Sequence, residues 1–408
     1  MTAREYPVFT VTPKAERSLR AGHPWVYGEE VTAVEGAYQN GDMVDVVSNK
    51  GRYLGTGWVN DHSKIRVRII SRNANDTFDE AFFRRRVRYA LDYRRTVMGE
   101  TDYRCCRLIF GEADQFPGLT VDRFENILVT QVLSLGMERR KDWVYRALVE
   151  LLREDGEQID AIYERNDVAI RTLEGLEQGK GFYQMEGLKT DLSGHVTITE
   201  NRIKYDVDYM EGQKTGFFLD QKYNRQAAAK LARGRRVLDC FTHTGAFALN
   251  AAAAGAEYVT AVDVSAFALE LAAENGKRNG LTNLDYKCAD VFDLLTEMAK
   301  EKKCDYDYII LDPPAFTKSR ATAKNAYHGY KEINMKAMRL LPRGGYLATC
   351  SCSHFMTDEM FRKMLQEAAL DAGVTLRQIE ARQQAPDHPI LPEVPETDYL
   401  KFYLLQVV

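Results

Sequence analysis

The sequence of 408 residues predicts an α/β fold, in which a doubly wound parallel sheet over residues 191–408 follows a small β-barrel and a small α+β domain. Three observations support this prediction. Strand-like and helix-like segments alternate from about residue 191 onward. Residues 237–265 have the pattern of a strand, a glycine-containing turn, a helix and a second strand that ends in an acid. Residues 1–72 instead contain short alternating runs between Gly, Asn and Asp turn signals.

The composition is that of an ordinary globular chain, with 45% hydrophobic and 28% charged residues. No apolar run approaches the ~20 residues that span a bilayer, and the N-terminus lacks the charged-then-apolar pattern of a signal peptide. Seven cysteines without a CxxC pair argue against a disulfide framework and against a structural zinc site. We therefore expect a cytoplasmic protein with free thiols, no membrane association and no bound metal.

Charge is distributed unevenly along the chain. Residues 1–100 contain 16 Lys+Arg and 13 Asp+Glu, a balance of +3, whereas the remaining 308 contain 39 and 46, a balance of −7. Phosphate binding depends on local patches more than on net charge. The asymmetry weakly favours an N-terminal half that meets a polyanion.

Residues 1–72 form the first predicted domain. The runs GDMVDVVS, RYLGTGWVN and KIRVRIIS predict strands of a small barrel, which either only packs on its neighbour or also docks RNA through basic residues interleaved with aromatic ones. In length and strand pattern the segment resembles a PUA domain, a module attached to many RNA-modifying enzymes. The interleaved residues are Arg17, Arg20, Lys64, Arg66, Arg68, Trp25, Tyr27 and Trp58.

Residues 73–190 form the second predicted domain, a compact α+β unit that we expect to shape the substrate surface without a catalytic constellation of its own. The segment FDEAFFRRRVRYALDYRRTVM predicts an amphipathic helix. Its arginines are typical of a solvated helix face, and phosphate contact is the alternative. They are Arg84, Arg85, Arg86, Arg88, Arg94 and Arg95.

Residues 191–408 form the third predicted domain. Its strands are VLDC, YVTAVDVS, YKCADV, YDYIILDPP and GGYLATCSCS, each followed by a helix, and this order resembles that of a class I methyltransferase. A dinucleotide-binding protein normally carries GxGxxG to admit a pyrophosphate, whereas the first turn here, CFTHTGAF, has only Gly245. A cofactor without phosphate, S-adenosylmethionine, suits such a turn.

The predicted cofactor contacts follow from position. Gly245 lets the backbone approach the methionine moiety, Asp263 is placed to accept from the ribose hydroxyls, and Asp290 from the adenine amino group. For each acid the alternative is a helix N-cap or a strand-end turn. The full set predicted to bind the cofactor is Phe241, Thr244, Gly245, Ala246, Phe247, Asp263, Asp290, Asp312, Gln221 and Arg225.

Residues 211–225, EGQKTGFFLDQKYNR, are denser in hydrogen-bonding groups than simple packing requires. They either form a capped helix from Asp220 that covers the sheet, or close over the cofactor with Lys214 and Arg225 toward a carboxylate or phosphate. Both roles are compatible.

The segments LDPPAF and TCSCSH carry the predicted chemistry. Asp312 lies at the tip of its strand, and the residues predicted to bind substrate are Pro313, Pro314, Phe316 and Lys214. Carbon 5 of a pyrimidine is too electron-poor to attack a sulfonium methyl group unaided, so a thiolate that adds at carbon 6 is required. We predict Cys352 as this nucleophile and Cys350 as structural. His354, Lys318 and the helix near Thr357 are candidates for lowering the thiol pKa.

The pieces EGQKTGFFLDQ, CFTHTGAFA, DPPAF, GYKEINMKAMRLL, SCS and RQQAPDHPI resemble the family of bacterial 23S ribosomal RNA large-subunit methyltransferase I, a PUA-containing cytosine C5-methyltransferase family. The resemblance covers the whole chain. It implies a cytosine of 23S ribosomal RNA as substrate, S-adenosylmethionine as donor and Cys352 as nucleophile. Ala315 stands where many RNA cytosine methyltransferases have a second cysteine, so Asp312, His354 or water remains open as the base.

Two alternatives remain: an amino-directed RNA methyltransferase, favoured by the DPP motif, and a non-catalytic RNA-binding assembly factor. In the favoured interpretation the target base is single-stranded or flipped into the pocket. We also expect a homodimer, although no residue pattern in the sequence indicates one. For His388 a structural role in the core or in a turn is predicted at least as strongly as a catalytic role.

Overall fold

The structure, a computed structural model, describes residues 5–301, 304–317 and 319–408. The chain divides into two compact units. The first comprises Met1–Ile198, Val207–Leu219 and Pro386–Thr397, and the second comprises Thr199–Asp206, Asp220–Ala385 and Asp398–Val408. The three domain boundaries expected from the sequence stay a prediction.

The first unit begins with a six-stranded sheet in the order β2-β6-β5-β4-β1-β3. Helix α1 (Pro13–Ala21) starts at Thr12, whose hydroxyl accepts from the Ala15 amide, and proline at its first position suits a helix start. Alternating apolar residues from the helix and the strands form one buried core. The strands are β1 (Val8–Val11), β2 (Trp25–Tyr27), β3 (Val31–Glu35), β4 (Met43–Ser48), β5 (Tyr53–Val59) and β6 (Ile65–Ser71).

A five-stranded sheet in the order β11-β10-β9-β8-β7 follows in the same unit. The predicted amphipathic helix is present as α2 (Glu80–Val97), capped by the Asp79 carboxylate, and its apolar face is buried. Helices α3 (Leu135–Glu138) and α4 (Lys141–Glu154) follow β9. The strands are β7 (Cys105–Phe110), β8 (Leu119–Phe124), β9 (Ile127–Val132), β10 (Ala161–Asn166) and β11 (Gly179–Phe182).

A two-stranded hairpin, β12 (His195–Glu200) and β13 (Ile203–Asp208), contributes residues to both units. Helix α5 (Lys222–Ala229) then precedes the main sheet of the second unit. The Arg225 side chain of this helix is fully buried and pairs with Glu200 through two hydrogen bonds of 2.6 and 2.8 Å.

The second unit is built on a seven-stranded sheet in the order β16-β15-β14-β17-β18-β20-β19. The first five strands pair in parallel, and β20 is antiparallel to both of its neighbours. The predicted doubly wound α/β fold is confirmed. The strands are β14 (Arg236–Cys240), β15 (Tyr258–Asp263), β16 (Leu284–Cys288), β17 (Tyr308–Leu311), β18 (Tyr346–Ser351), β19 (Leu376–Arg382) and β20 (Lys401–Val407).

The sequence predicted five of these strands and not the last two. Strand β19 lies at the edge of the sheet, and all of its side chains are exposed or half-buried, so it lacks an apolar pattern. Strand β20 pairs with residues some fifty positions earlier in the chain, for example Lys401 with Ser351. Neither property is visible in a local pattern. The parallel sheet that we expected is present in β14 to β18, and β20 and β19 extend it with antiparallel pairs.

Helices cover both faces of this sheet, and two apolar cores lie on opposite sides of it. The helices are α6 (Ala246–Ala253), α7 (Ala266–Arg278), α8 (Val291–Glu301), α9 (Ala323–Leu340) and α10 (Asp358–Ala372). Among the described residues, no helix is long and apolar enough to cross a membrane, and no cluster of His, Cys, Asp or Glu has the arrangement of a metal site.

Candidate active site

The predicted site residues of the second unit lie at the carboxyl ends of adjacent parallel strands. Cys240 ends β14 and leads into the glycine-containing turn, Asp263 ends β15, Asp312 follows β17 and Cys352 follows β18. In open α/β sheets this edge is where ligands bind. The fold thus brings together segments that are more than 100 residues apart in the chain.

The turn after β14 is held in an unusual conformation. Phe241, His243 and Gly245 all have positive φ angles, of 63°, 50° and 84°. The Thr242 amide between them donates to the Val262 carbonyl at 2.9 Å, which ties the turn to the next strand. A side chain at Gly245 would also meet Leu249 Cδ1 at 2.5 Å, so only glycine fits here.

The turn ends at the start of α6, where amide groups are available. The Ala248 amide donates to the buried Asp239 carboxylate at 2.9 Å, whereas the amides of Ala246 and Phe247 have no hydrogen-bond partner within the described chain. Free amides at a helix start form a cradle for a carboxylate. Phe247 contributes only its backbone, because its ring is buried against Phe402.

Asp263 is oriented by the backbone around it. Oδ2 accepts from the His243 amide at 2.8 Å and Oδ1 accepts from the Ser265 amide at 2.9 Å, while the side chain stays partly exposed. Each carboxylate oxygen has a second lone pair. The carboxylate is therefore fixed in place and still able to accept from two neighbouring hydroxyl groups, as a ribose requires.

Asp290 caps the next helix. Its Oδ1 accepts from the amides of Phe292 at 2.8 Å and Asp293 at 3.2 Å at the start of α8. The alternative stated for this acid, a helix N-cap, is thus the role that the structure gives to one of its oxygens. The side chain is exposed, so Oδ2 stays accessible to a ligand.

Asp312 is the centre of a small buried network. Gln221 Nε2 donates to its Oδ1 at 2.9 Å, and the Cys350 thiol also hydrogen-bonds to the carboxylate. Burial raises the pKa of Asp312 to about 6, with the charge of Asp220 adding to the increase and Arg225 opposing it. At neutral pH this carboxylate lies close to its titration point and can exchange a proton readily.

Cys350 and Gln221 are the two buried side chains that hydrogen-bond to Asp312. Cys350 is fully buried, burial raises its thiol pKa well above the ordinary value, and it belongs to the core below the sheet edge. Gln221 is 3% exposed and its Oε1 accepts from Asn224 at 2.7 Å. The predicted direct contact of Gln221 with a cofactor is replaced here by a hydrogen bond to the acid.

Arg225 also differs from the prediction. Its guanidinium group is enclosed and ion-paired with Glu200, and its charge acts on Asp312. Lys214 belongs to the first unit, where its ammonium group lies 4.6 Å from the centre of the Phe218 ring. We therefore leave Arg225 out of the proposed cofactor contacts.

Cys352 follows the last residue of β18 and is partly exposed. The strand ends at Ser351, so Cys352 does not share the buried surroundings of Cys350. Three buried side chains are electrostatically coupled to its sulfur: the Tyr330 hydroxyl, the Lys401 ammonium group and the Cys350 thiol. The Tyr330 hydroxyl lies 3.0 Å from Ser353 Oγ.

Phe316, predicted to stack on the base, belongs to an aromatic cluster. Its ring centre lies 4.5 Å from Tyr330, 5.8 Å from Phe292 and 6.5 Å from Phe241. The ring remains partly exposed, as does Phe241. Of the two prolines before it, Pro313 is buried and Pro314 is exposed, so Pro314 and Phe316 retain surface for a substrate.

The histidines considered in the sequence analysis differ in exposure. His354 and His328 are exposed side chains of the second unit. His388 is buried in the first unit, where its Nδ1 lies 2.9 Å from Asp387 Oδ1. A core role for His388 follows from this pairing. Lys318 lies outside the described residues.

Two of the five basic residues predicted for RNA contact, Arg66 and Arg68, have close acidic partners within the first unit, and a third, Arg20, lies 3.9 Å from Glu16. Arg68 bonds Glu174 at 2.8 Å and Glu112 at 3.4 Å, and Arg66 bonds Asp61 at 2.7 Å. Trp58 is 1% exposed, so it cannot stack on a base. These residues are better explained as packing, whereas three exposed cations remain: Arg17, Arg20 and Lys64.

Five of the six arginines of α2 are paired with carboxylates, and the sixth, Arg86, donates to the Gln115 carbonyl. Arg84 bonds Glu150 and Glu154, and Arg94 is completely buried against Asp114. Arg85, Arg88 and Arg95 also have carboxylate partners. The charge run therefore stabilises the fold, because a local helical pattern does not reveal acids contributed by distant segments.

Comparison with known proteins agrees with this architecture. A family model described as a PUA-like domain matches residues 9–72, and one described as an S-adenosylmethionine-dependent methyltransferase matches residues 183–405. A protein of Pseudoalteromonas atlantica named ribosomal RNA large subunit methyltransferase I is 40% identical over 401 residues, covering 98% of this chain and 99% of its own. The chain belongs to this methyltransferase family. A relative of the same name from Aeromonas salmonicida is 42% identical over 391 residues, 95% of this chain and 96% of its own.

Solved structures of the methyltransferase fold extend over the same length. A proposed SAM-dependent methyltransferase of Streptococcus mutans aligns with a TM-score of 0.81 at 22% identity, covering 98% of this chain and 100% of its own. A second, solved in complex with SAH, aligns with a TM-score of 0.82 at 21% identity and the same coverage. S-adenosylmethionine is the cofactor of this methyltransferase, and Asp263, Gly245 and the free α6 amides fit it.

Several residues of the site were missed by the sequence analysis. Asp239 is fully buried, accepts from Thr242 Oγ1 at 2.5 Å, and burial raises its pKa to about 7. Tyr330 lies in a helix with an ordinary amphipathic pattern, and Lys401 begins a strand that was not predicted. The acid within VLDC, a polar residue in an apolar strand, was the available signal for Asp239.

Proposed function

We propose that this methyltransferase transfers a methyl group to carbon 5 of a cytosine in 23S ribosomal RNA, through a covalent bond between Cys352 and carbon 6 of the ring. The names of its relatives, ribosomal RNA large subunit methyltransferase I, support the RNA substrate. The observation that carries the cytosine chemistry is a partly exposed thiol at the catalytic edge of the sheet, next to a strand that ends in an acid with a raised pKa.

The thiol supplies the electron density that the base lacks. In the proposed reaction the Cys352 thiolate forms a bond to carbon 6, and the electrons of the 5,6 double bond move toward carbon 5 and the ring nitrogen. The pKa of about 6 at Asp312 allows this carboxyl to hold and release a proton at neutral pH.

The bound S-adenosylmethionine supplies a methyl group from its sulfonium sulfur, leaving a neutral thioether. Release of the product then requires that the bond between carbon 5 and hydrogen breaks, that the proton passes to a base, and that the bond between sulfur and carbon 6 breaks as the double bond reforms. Asp312 is our candidate for this base, since Ala315 provides no second thiol. His354, although exposed, and water are the other acceptors.

The residues proposed to hold the cofactor act through backbone and carboxylate groups. Asp263 accepts hydrogen bonds from the ribose hydroxyl groups, and Asp290 Oδ2 accepts from the adenine amino group. The amides of Ala246 and Phe247 donate to the methionine carboxylate. Thr244, Gly245 and Phe241 form the wall of the turn. Pro314 and Phe316 contact the substrate, with Pro313 stiffening the loop.

A base inside a helix cannot reach a thiol and a methyl donor together, so the substrate cytosine is single-stranded or flipped. Exposed Arg17, Arg20 and Lys64 supply phosphate contacts from residues 1–72, which we propose as the RNA-docking domain. Residues 73–190 and 191–408 are the proposed central and methyltransferase domains. A homodimer in the cytoplasm is the proposed state of the protein.

The competing function is methyl transfer to an exocyclic amino group, which the Asp-Pro-Pro sequence favours because carbonyl groups of such a loop accept from an amino group. That reaction has no use for a thiol. It also usually employs an aromatic residue at the position of Ala315, so we rank it second.

The test is methylation of unmodified ribosomal RNA with labelled donor, followed by identification of the modified nucleoside. We expect 5-methylcytidine from the wild-type protein and a loss on the order of a thousandfold or more for Cys352→Ala, as for other nucleophile replacements. The control is Cys304→Ala, a half-buried thiol of the same unit, for which we expect ordinary activity. A methylated amino group, or full activity of Cys352→Ala, would contradict the proposal.

A further inference from the structure

Lys401 is a buried lysine whose ammonium group has no carboxylate partner. The residue is 4% exposed. Its Nζ donates to the carbonyl of Ser353 at 2.7 Å and to that of Tyr399 at 2.9 Å, and across the described ranges no Asp or Glu oxygen lies within 4.0 Å of it. Burying an ammonium group is costly unless charge compensates it. The position therefore calls for a nearby negative charge.

The location of Lys401 indicates that the nearby negative charge is the thiolate of Cys352. Lys401 begins β20 and pairs directly with Ser351, the last residue of β18, and its Nζ is anchored on the Ser353 carbonyl. Cys352 lies between these two contacts in the chain. An ammonium group has three N–H donors, and the two carbonyl groups use two of them.

The surrounding charges support the same assignment. Burial lowers the pKa of Lys401 to about 8, and the largest electrostatic influence that opposes this decrease is Cys352, followed by Asp398 and Asp358. Asp358 accepts from the Tyr403 hydroxyl and lies 2.9 Å from Arg362, so it is already paired. The Tyr330 hydroxyl of α9, which lies beside Ser353, and the buried thiol of Cys350 are also coupled to Cys352.

We propose that Lys401 is a positioning residue that keeps Cys352 in its thiolate form. The Lys401 ammonium group stabilises the thiolate: the S–H bond breaks, the proton passes to water, and an ammonium–thiolate pair remains. The Tyr330 hydroxyl, 3.0 Å from Ser353 Oγ, has a pKa raised by burial and stays neutral. This inference rests on the proposed function of Cys352 as nucleophile, and it assigns the cation that such a nucleophile requires.

A purely structural Lys401 would join β20 to the loop after β18 and leave the thiol unaffected. The two roles differ in the reactivity of one sulfur. Alkylation by iodoacetamide proceeds through the thiolate, so its rate as a function of pH reports the titration of each cysteine. Mass spectrometry resolves the rates of individual cysteines, and exposed Cys288 of the same unit provides an internal reference.

The experiment compares the full-length wild type with Lys401→Met, Lys401→Arg and the control Lys336→Met, between about pH 5 and about pH 10. Lys336 is a partly buried lysine of α9 that is ion-paired with Glu332. SAH affinity and the thermal unfolding midpoint show whether each variant keeps its fold. Production of 5-methylcytidine is measured separately and tests the proposed function, whereas the alkylation profile tests the charge pair.

In the wild type we expect Cys352 to titrate at a lower pH than Cys288. For Lys401→Met we expect an alkylation rate of Cys352 at neutral pH that is reduced about tenfold, one unit of thiol pKa, with Cys288 unchanged. Lys401→Arg keeps the charge and should restore most of this rate. Lys336→Met should leave both profiles unmoved.

Two results would overturn the proposal. The first is a wild-type Cys352 that titrates at or above the pH of Cys288, and this comparison needs no variant, so it holds even where Lys401→Met fails to fold. The second is a folded Lys401→Met protein whose Cys352 profile coincides with that of the wild type.

Discussion

The side-chain amide of Gln221 donates to Oδ1 of Asp312 across 2.9 Å, and the Asn224 amide in turn holds Gln221 Oε1 at 2.7 Å. Gln221 is thus oriented so that its donor, not its acceptor, faces the acid. A donor favours the ionised carboxylate and therefore opposes the increase in pKa that burial causes. Burial is the main cause of the raised pKa of Asp312, and this amide is one of the groups that oppose the increase.

Replacing Gln221 with Met should move the pH dependence of methyl transfer. The raised pKa of about 6 means that Asp312 is ionised only above that pH, so activity that needs its carboxylate falls as pH decreases through 6. Loss of the donor raises this pKa further, and the acid limb of the profile should shift upward by up to about one unit. The measurement is kcat against pH. Gln378→Met, at an exposed position of β19, is the control, and an unshifted limb would refute the assignment.

Asp263→Ala should weaken cofactor binding, and it also removes the acceptor for the amides of His243 and Ser265. A hydrogen bond to a charged group is worth about 1.5–3 kcal/mol, so the loss of the ribose acceptor should reduce SAH affinity by about tenfold or more. Titration calorimetry measures the affinity. Asp285→Ala, an exposed acid in the neighbouring strand β16, should bind normally, and equal affinities for both variants would exclude the ribose contact.

Gly245→Ala should cost more stability than an alanine at another left-handed glycine. At Gly245 the φ angle is 84° and a Cβ would lie 2.5 Å from Leu249 Cδ1 and 2.9 Å from Ala272 Cβ, whereas at Gly280, with φ of 65°, nothing lies within 4 Å. The left-handed conformation costs about 1–2 kcal/mol in both, and crowding adds about 1–3 kcal/mol only at Gly245. Urea unfolding midpoints of the two variants measure the difference, which should vanish if the turn relaxes freely.

Arg94→Met should be strongly destabilising in the first unit. Arg94 is completely buried, its Nη2 bonds Asp114 at 2.7 Å, and its Nε bonds the Arg107 carbonyl at 2.8 Å. Removing one partner of a buried ion pair typically costs about 3–5 kcal/mol, because the remaining charge stays buried. Arg84→Met removes only partly exposed pairs and should cost about 1 kcal/mol or less. Denaturant unfolding of the two variants would contradict this account if their losses were similar.

Local patterns were sufficient to place the candidate site residues at the carboxyl ends of the strands. A strand that ends in an acid, followed by a helix start, is encoded within about ten residues, so Asp263, Gly245 and Asp312 are recognisable before any coordinates are known. The same holds for helix α2 and its cap at Asp79, since both depend on short-range spacing.

Partners contributed by distant segments were not recognisable in this way. The basic and aromatic residues of 1–72 formed a plausible RNA-binding set, yet Arg68 pairs with Glu112 and Glu174 from the following sheet region, and Trp58 is buried. Arg225 shows the same effect through Glu200. A sequence pattern tells which side chains are charged, but the choice between solvent, ligand and an internal acid is made by packing.

The amino-acid order alone established the doubly wound fold, the cofactor turn and the two candidate thiols, because each depends on short periodicities and turn chemistry. Only the folded chain shows that the two thiols differ in burial and in their charged neighbours. Cys350 is enclosed beside Asp312, while Cys352 lies partly exposed near the ammonium group of Lys401. This distinction arises from the antiparallel pairing of β18 with β20, a contact between segments some fifty residues apart. Burial and charge are properties of such contacts, and they set the reactivity of a sulfur atom.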